Sequence, residues 1–249
     1  MSYCSLTSDD VKNLVVQGVK LIKEVRETVA PGLCPSIERT EELLAQGCFK
    51  TEKISLERRL NSFYPLNYSY FEPPSTITLD SRGPFWDKHL DMPDLTKTAT
   101  SYCAAHELIH ADDYLNGIRI AEETASHIET EHRDKLEASI MLLKKTAAPD
   151  FIQKEDNLVR IWAQQYADMA THYRTYLVFR HKQLPRIDYI WSALANHFFS
   201  PTILCQIEKS RGIDYVLDRI TKGVGRWCLV DALMEADEAC RKSATPYAV

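Results

Sequence analysis

The sequence has no block of charge of one sign and no long apolar run. Its 30 basic and 35 acidic residues give a formal net charge of -5, and the two signs alternate along most of the chain. The opening MSYCSLTSDDVK lacks a basic start followed by an apolar run, and no later stretch approaches the roughly 20 apolar residues of a membrane span. We therefore expect no nucleic-acid partner, no membrane association and a cytoplasmic location.

Paired cysteines are also missing. The seven cysteines are an odd number and include no Cys-x-x-Cys pair, which favours reduced thiols over a disulfide framework or a thiolate zinc site. Cys103, one turn before His106, is expected to pack within a helix rather than act as a nucleophile.

Internal repeats and low-complexity segments are absent as well. The 249 residues, 45% of them hydrophobic and 26% charged, are enough for a soluble globular protein with a sizeable core. We expect a single domain over 1–249, in which a strand and a candidate active-site helix occupy about 53–117 and the remainder is helical. The predicted fold class is mostly α (α+β), with a small β element just before that helix.

Local patterns indicate where the elements lie. A Thr or Ser cap, acids in the first turn and apolar residues at helical spacing predict a helix in TSDDVKNLVVQGVKLIKEV, and a second fits SIERTEELLAQ. Alternating β-branched residues make Thr76–Asp80 the clearest strand. Asp94 is the expected cap of a longer helix that stops at Asn116-Gly117. Further helices are predicted at Ile118–Lys145, Ala148–Lys182, Ile187–His197, Ile203–Glu208 and Tyr215–Ala239.

The segment AAHELIHADDYLNG carries the pattern with the clearest chemistry. Residues four apart on a helix face the same way, so His106 and His110 can converge on one ion while Glu107 stands beside it. Imidazole suits a tetrahedral zinc ion, and a neighbouring carboxylate can accept a proton from water on the metal. The pattern predicts one zinc ion per chain, held by His106 and His110, with Glu107 as the catalytic general base of a hydrolase.

The segment HELIH at 106–110 resembles the signature of the zincin metallopeptidases. HELIHADDY is similar to the helix of the mitochondrial inner-membrane peptidases that process an ATP-synthase subunit. The resemblance implies a zinc-dependent peptidase that acts on a peptide or protein substrate. It also implies a zincin-like site, built from an active-site helix, an edge strand and a second helix that bears a ligand. We expect Thr76–Asp80 to bind an extended peptide by edge pairing.

The third zinc ligand has three candidates. In the gluzincin branch of this family it is a glutamate on the following helix, in a Glu-x-x-Ala setting that Glu122 to Ala125 resembles. On a helical wheel, Glu122 and Glu129 flank the buried stripe of that helix, whereas Glu123 points away from it. Glu122 is favoured over Glu129 because a short Asn-Gly turn would bring the start of the second helix opposite His110.

Two further features lie near the motif. Asp113 is on the histidine face near a helix C-terminus, where a negative charge is unfavourable. We therefore expect a compensating interaction for this charge. The Asp113 carboxylate either accepts the outer ring N–H of a histidine ligand or is exposed to solvent. The stripe WAQQYADMATHYRTYLVF is interpreted as core packing. One of Tyr166, His172 and Tyr173 could nevertheless hydrogen-bond the oxyanion of a tetrahedral intermediate.

Two other classes of protein remain open. Glu107-x-x-His110 and Glu129-x-x-His132 are units of the kind that carboxylate-bridged di-iron bundles use for oxidase or oxygenase chemistry. Two points argue against this class. A bundle normally needs another full-length helix between such units, and a di-iron site would not use His106 as a ligand. The second alternative is a non-catalytic helical interaction protein in which the motif is accidental.

Overall fold

The computed structural model describes residues 5–53, 68–84, 92–116, 155–195, 202–222 and five positions between 232 and 238. Helix accounts for 69% of the described residues, and the strands among them form one three-stranded sheet. The predicted fold class, mostly α (α+β), is confirmed. None of the helices in these ranges is long and apolar enough to cross a membrane.

The described helices begin close to where the sequence predicts. Thr7 caps the first helix through a capping box with Asp10, which satisfies backbone N–H groups that have no partner within the helix. The cap predicted at Asp94 is wrong, because the third helix starts at Pro93 after Met92. Proline suits that position since its missing N–H would have no helical partner there. The helices are α1 (Ser8–Thr28), α2 (Ile37–Ala45), α3 (Pro93–Leu115), α4 (Glu155–His181), α5 (Ile187–Ala195), α6 (Thr202–Arg211) and α7 (Ile213–Lys222).

The end of α3 matters for the predicted site. α3 ends at Leu115 with Asn116 as its C-cap, as the Asn-Gly stop predicts. The helix predicted at 118–145 lies outside the described residues, and so do the candidate ligands Glu122, Glu123 and Glu129. The helices predicted near 148–182, 187–197 and 203–208 are observed as α4, α5 and α6, and α7 covers part of the last one.

The sheet is small, and the predicted strand lies at its centre. Strands β1 (Cys48–Glu52), β2 (Ser69–Glu72) and β3 (Thr76–Asp80) have the order β1-β3-β2. β1 pairs with β3 in parallel, and β2 pairs with β3 antiparallel. The strand predicted at Thr76–Asp80 is confirmed. The expectation that it binds a peptide by edge pairing is wrong, because neighbouring strands occupy both of its hydrogen-bonding edges.

The chain divides into two compact units, one of residues 1–117 and 171–197 and the other of 118–170 and 198–249. In the first unit, α1 packs against α3. Gly18 permits a close approach of these helices, because a Cβ there would lie 3.3 Å from Leu108 Cδ2. The prediction of a single domain over 1–249 stays a prediction. The apolar stripe that α1 buries consists of Val11, Val15, Val19, Ile22 and Val25.

In the second unit, α6 and α7 pack together. Tyr215 and Arg219 of α7 both donate hydrogen bonds to Glu235, at 2.9 and 3.2 Å.

Candidate metal centre

α3 is buried on nearly every side. It packs against α1, α2 and the sheet, and polar residues from Thr96 to Asp113 are buried along with the apolar ones. A buried polar side chain without a hydrogen-bond partner costs about 1–3 kcal/mol. The buried histidines and carboxylates of α3 therefore need hydrogen-bond, ionic or metal partners. The residues that contact them make up the candidate metal centre.

His106 and His110 bring two ring nitrogens together. The residues lie four positions apart on α3, so their rings project from the same face, and their Nε2 atoms are 3.1 Å apart. Two imidazole nitrogens on one tetrahedral zinc ion would be about 3.3 Å apart. His106 is buried and His110 is half-buried. The separation therefore suits two ligands of one ion.

A carboxylate from α4 joins the two histidines. Asp168 offers an oxygen that forms a group with one nitrogen each of His106 and His110, and these three atoms all lie within 4.8 Å of one another. The next turn of the same helix approaches His110, whose Nδ1 is 3.5 Å from Thr171 Oγ1. The three side chains could hold a metal ion. Two imidazoles and one carboxylate are a donor set that zinc accepts.

Asp168 is a site residue that the sequence patterns do not predict. The aromatic spacing of ADMATHYRTYLVF predicts core packing, but the same segment places polar side chains in successive turns. Thr171, Arg174 and Thr175 are all fully buried. Polar residues recurring on a helix that also has a buried apolar stripe are the signal that points to a site there.

His172 lies beside the metal-site histidines. Its ring centroid is 4.1 Å from that of His106. The Tyr102 hydroxyl is 3.2 Å from the backbone carbonyl of His172 and 3.0 Å from its Nδ1. A carbonyl only accepts, so the hydroxyl donates to it. The same hydroxyl is within hydrogen-bond distance of Nδ1.

The sequence also predicts Tyr173 and Tyr166 as oxyanion candidates. Tyr173 is fully buried, and the side chain of Tyr166 lies outside the described ones.

Glu107 contacts the sheet. It is buried, and its Oε1 accepts a hydrogen bond of 2.7 Å from the Ser69 hydroxyl. Ser69 is the first residue of β2 and pairs with Leu79 of β3. Cys103, one turn before Glu107, is also buried. Burial raises the pKa of the Cys103 thiol well above its ordinary value, which agrees with the packing role predicted for it.

Asp113, near the end of α3, has a buried partner. Arg174 is fully buried and donates two hydrogen bonds to its carboxylate, one of them 2.6 Å long from Nη1 to Oδ1. Burial lowers the pKa of Arg174, but the charge of Asp113 and its hydrogen bonds outweigh that effect and raise it overall. Of the two situations predicted for Asp113, solvent exposure is wrong, because Arg174 on α4 covers the carboxylate.

Asp112 is compensated by hydrogen bonds. It accepts from the Thr40 hydroxyl at 3.1 Å and from the Asn116 side chain at 2.9 Å. Burial, together with the neighbouring charge of Asp113, raises the pKa of Asp112 to about 6.

Comparison of the chain with protein-family models, with curated proteins and with solved structures gives no match. The residues of the site are therefore the basis for assigning a function. His106, Glu107 and His110 lie together on α3, and Asp168 joins the histidines from α4. Glu122, the third ligand predicted by resemblance, lies outside the described residues.

Proposed function

We propose that the protein is a zinc-dependent metallopeptidase that hydrolyses peptide bonds in a peptide or protein substrate. The observation that carries the proposal is the 3.1 Å separation of His106 Nε2 and His110 Nε2, with the Asp168 carboxylate near both. Two nitrogens at this spacing, with a buried glutamate between the two histidines on the same helix, match what metal-assisted hydrolysis needs from an HExxH helix.

The residues divide into ligands and a base. His106, His110 and Asp168 would hold one ion, and Glu122 stays a further candidate ligand. When bound, zinc supplies a charge that lowers the pKa of a coordinated water towards neutrality and polarises the scissile carbonyl. Glu107 accepts the proton of the attacking water and returns it to the leaving nitrogen. Since Oε1 of Glu107 is held by Ser69, Oε2 would carry the proton.

We propose that His172 donates a hydrogen bond to the oxygen of the carbonyl under attack. Its ring packs on His106, and Tyr102 holds its Nδ1. In the protonated form Nε2–H is a donor for that oxygen, while the bond to Tyr102 is kept. One such donor contributes a factor of about 10² to 10³ in kcat.

The same geometry favours a zinc peptidase over a di-iron bundle. In a bundle, Glu107 and His110 would bind iron as one unit. Here Glu107 accepts a hydrogen bond from Ser69, and His110 instead approaches His106. A non-catalytic interaction protein would give no role to the paired histidine nitrogens.

Glu107→Gln tests the proposed function. The variant keeps the shape of the side chain and both zinc histidines, so zinc affinity should stay within about threefold, while hydrolysis of a mixture of internally quenched peptides should fall at least about 100-fold. His106→Ala should lose zinc and activity together, and Glu42→Gln, at an exposed position of α2, should change neither. Full turnover by Glu107→Gln on a peptide that the wild type cleaves would contradict the mechanism.

A further inference from the structure

We propose that Ser69 is a positioning residue for Glu107, whose hydroxyl holds the carboxylate of the proposed general base in one place. This inference rests on the proposed function. The Ser69 hydroxyl lies 2.7 Å from Glu107 Oε1, and both side chains are buried. A hydrogen bond to a charged acceptor away from water is among the stronger ones in proteins.

The hydrogen-bond inventory fixes the direction of the contact. Ser69 has one hydroxyl proton, and it donates that proton to Oε1 of Glu107. Ser69 of β2 is thus linked to Glu107 of α3 by a hydrogen bond of known direction.

The backbone around Ser69 makes it a rigid anchor. Ser69 pairs with Leu79 of the central strand, and the preceding Tyr68 carbonyl accepts a hydrogen bond of 2.7 Å from the Asp80 amide. Glutamate is a long side chain with many rotamers. A fixed donor on Oε1 removes most of them, and Oε2 would then be the oxygen that accepts the proton. Small misplacements of a catalytic group lower the rate steeply.

The consequence is a kinetic signature. Ser69 acts through Glu107 and not as a ligand, so its loss should affect kcat and leave KM and zinc affinity unchanged. A merely structural role would move all three quantities, because a loosened α3 would also displace His106 and His110.

The kinetic test uses the zinc-loaded full chain and the mixture of internally quenched peptides. Ser69→Ala should lower kcat at least about tenfold, with KM and zinc affinity within about twofold of the wild type. Ser69→Thr, which keeps the hydroxyl and suits a strand, should recover most of the loss. Ser101→Ala is the matched control, since the Ser101 hydroxyl donates within α3, to the Lys97 carbonyl at 3.1 Å. A wild-type kcat in Ser69→Ala, or a parallel loss of zinc affinity, overturns the inference.

A second measurement separates this inference from the proposed function. Urea unfolding midpoints are compared for the wild type, Ser69→Ala, Glu107→Ala and the double variant. If the contact holds, Ser69→Ala lowers the midpoint at least twice as far when Glu107 is present as when it is alanine. Additive shifts overturn the contact. A zinc-loaded wild type that cleaves no peptide overturns the proposed function, and with it the kinetic role of Ser69, while the unfolding cycle still decides the contact.

Discussion

Arg174 and Asp113 form a buried ion pair beside the candidate metal centre. Asp113 follows His110 by three residues on α3, and Arg174 follows Thr171 by three residues on α4. Thr171 itself lies 3.5 Å from His110. The pair therefore fixes α4 against α3 close to the point where the metal ligands have to meet.

Arg174→Met should destabilise the protein by about 3–5 kcal/mol, because it leaves the Asp113 carboxylate buried without its partner. The free energy of unfolding, measured by urea denaturation, checks this. The double variant Asp113→Leu/Arg174→Met removes both charges and should recover a large part of the loss.

Lys182→Met is the matched control for this pair. Lys182 also pairs with a carboxylate, but its partner Glu24 has a side chain that is 54% exposed, so the loss should stay below about 1 kcal/mol. An Arg174→Met variant that loses no more than Lys182→Met would show that the buried pair contributes no more than a surface one.

Asp168→Ala should weaken zinc binding at least about 100-fold, because a charged ligand is lost from the ion. Zinc titration against a competing chelator measures the change. Asp94→Ala, at an exposed carboxylate in the first turn of α3, should leave the affinity unchanged.

The same titration on Glu122→Ala, Glu123→Ala and Glu129→Ala tests the candidates from the sequence. A loss in both Asp168→Ala and Glu122→Ala would indicate four protein ligands. Unchanged affinity in Asp168→Ala, with a selective loss in one glutamate variant, would remove Asp168 from the site and leave that glutamate as the third ligand.

The pair of Glu38 and Arg26 predicts a small acid-dependent loss of stability. The hydrogen bond from Arg26 lowers the pKa of Glu38 from 4.5 to about 2, so the folded state favours the ionised carboxylate. This contribution is fully present above pH 4.5 and is lost as the pH falls towards 2. The Glu38 side chain is 53% exposed, which limits the contribution to below about 1 kcal/mol.

Unfolding free energies of the wild type and Glu38→Gln should therefore differ at neutral pH and converge at about pH 2. Glu42→Gln, which changes an exposed glutamate on the same helix, serves as the reference. A difference that grows on acidification would contradict the sign.

Features set by neighbouring residues could be predicted from the sequence. Contacts between segments that are distant in the sequence could not. The spacing of His106 and His110 is a property of one helix, and alternation within five residues identifies β3. Asp168 lies 58 positions after His110, so only tertiary packing brings it to the histidines. The contact of Ser69 with Glu107 also depends on packing, here of a four-residue edge strand against α3.

The environment of Asp113 also depends on a contact between distant segments. The helix dipole disfavours a negative charge near a helix C-terminus. Exposure to solvent reduces this cost, so the sequence favours an exposed carboxylate there. The compensating Arg174 comes from a distant helix, and no local pattern in α3 indicates it.

The metal content of the purified protein distinguishes a zinc peptidase from the two alternative classes. Elemental analysis should find about one zinc per chain, and a chelator should remove the zinc and the peptidase activity together, with both restored by one equivalent of zinc. Two irons per chain, with an oxygen-dependent absorbance change, would establish the di-iron alternative instead. A folded chain that neither contains nor binds zinc would contradict the metallopeptidase account altogether.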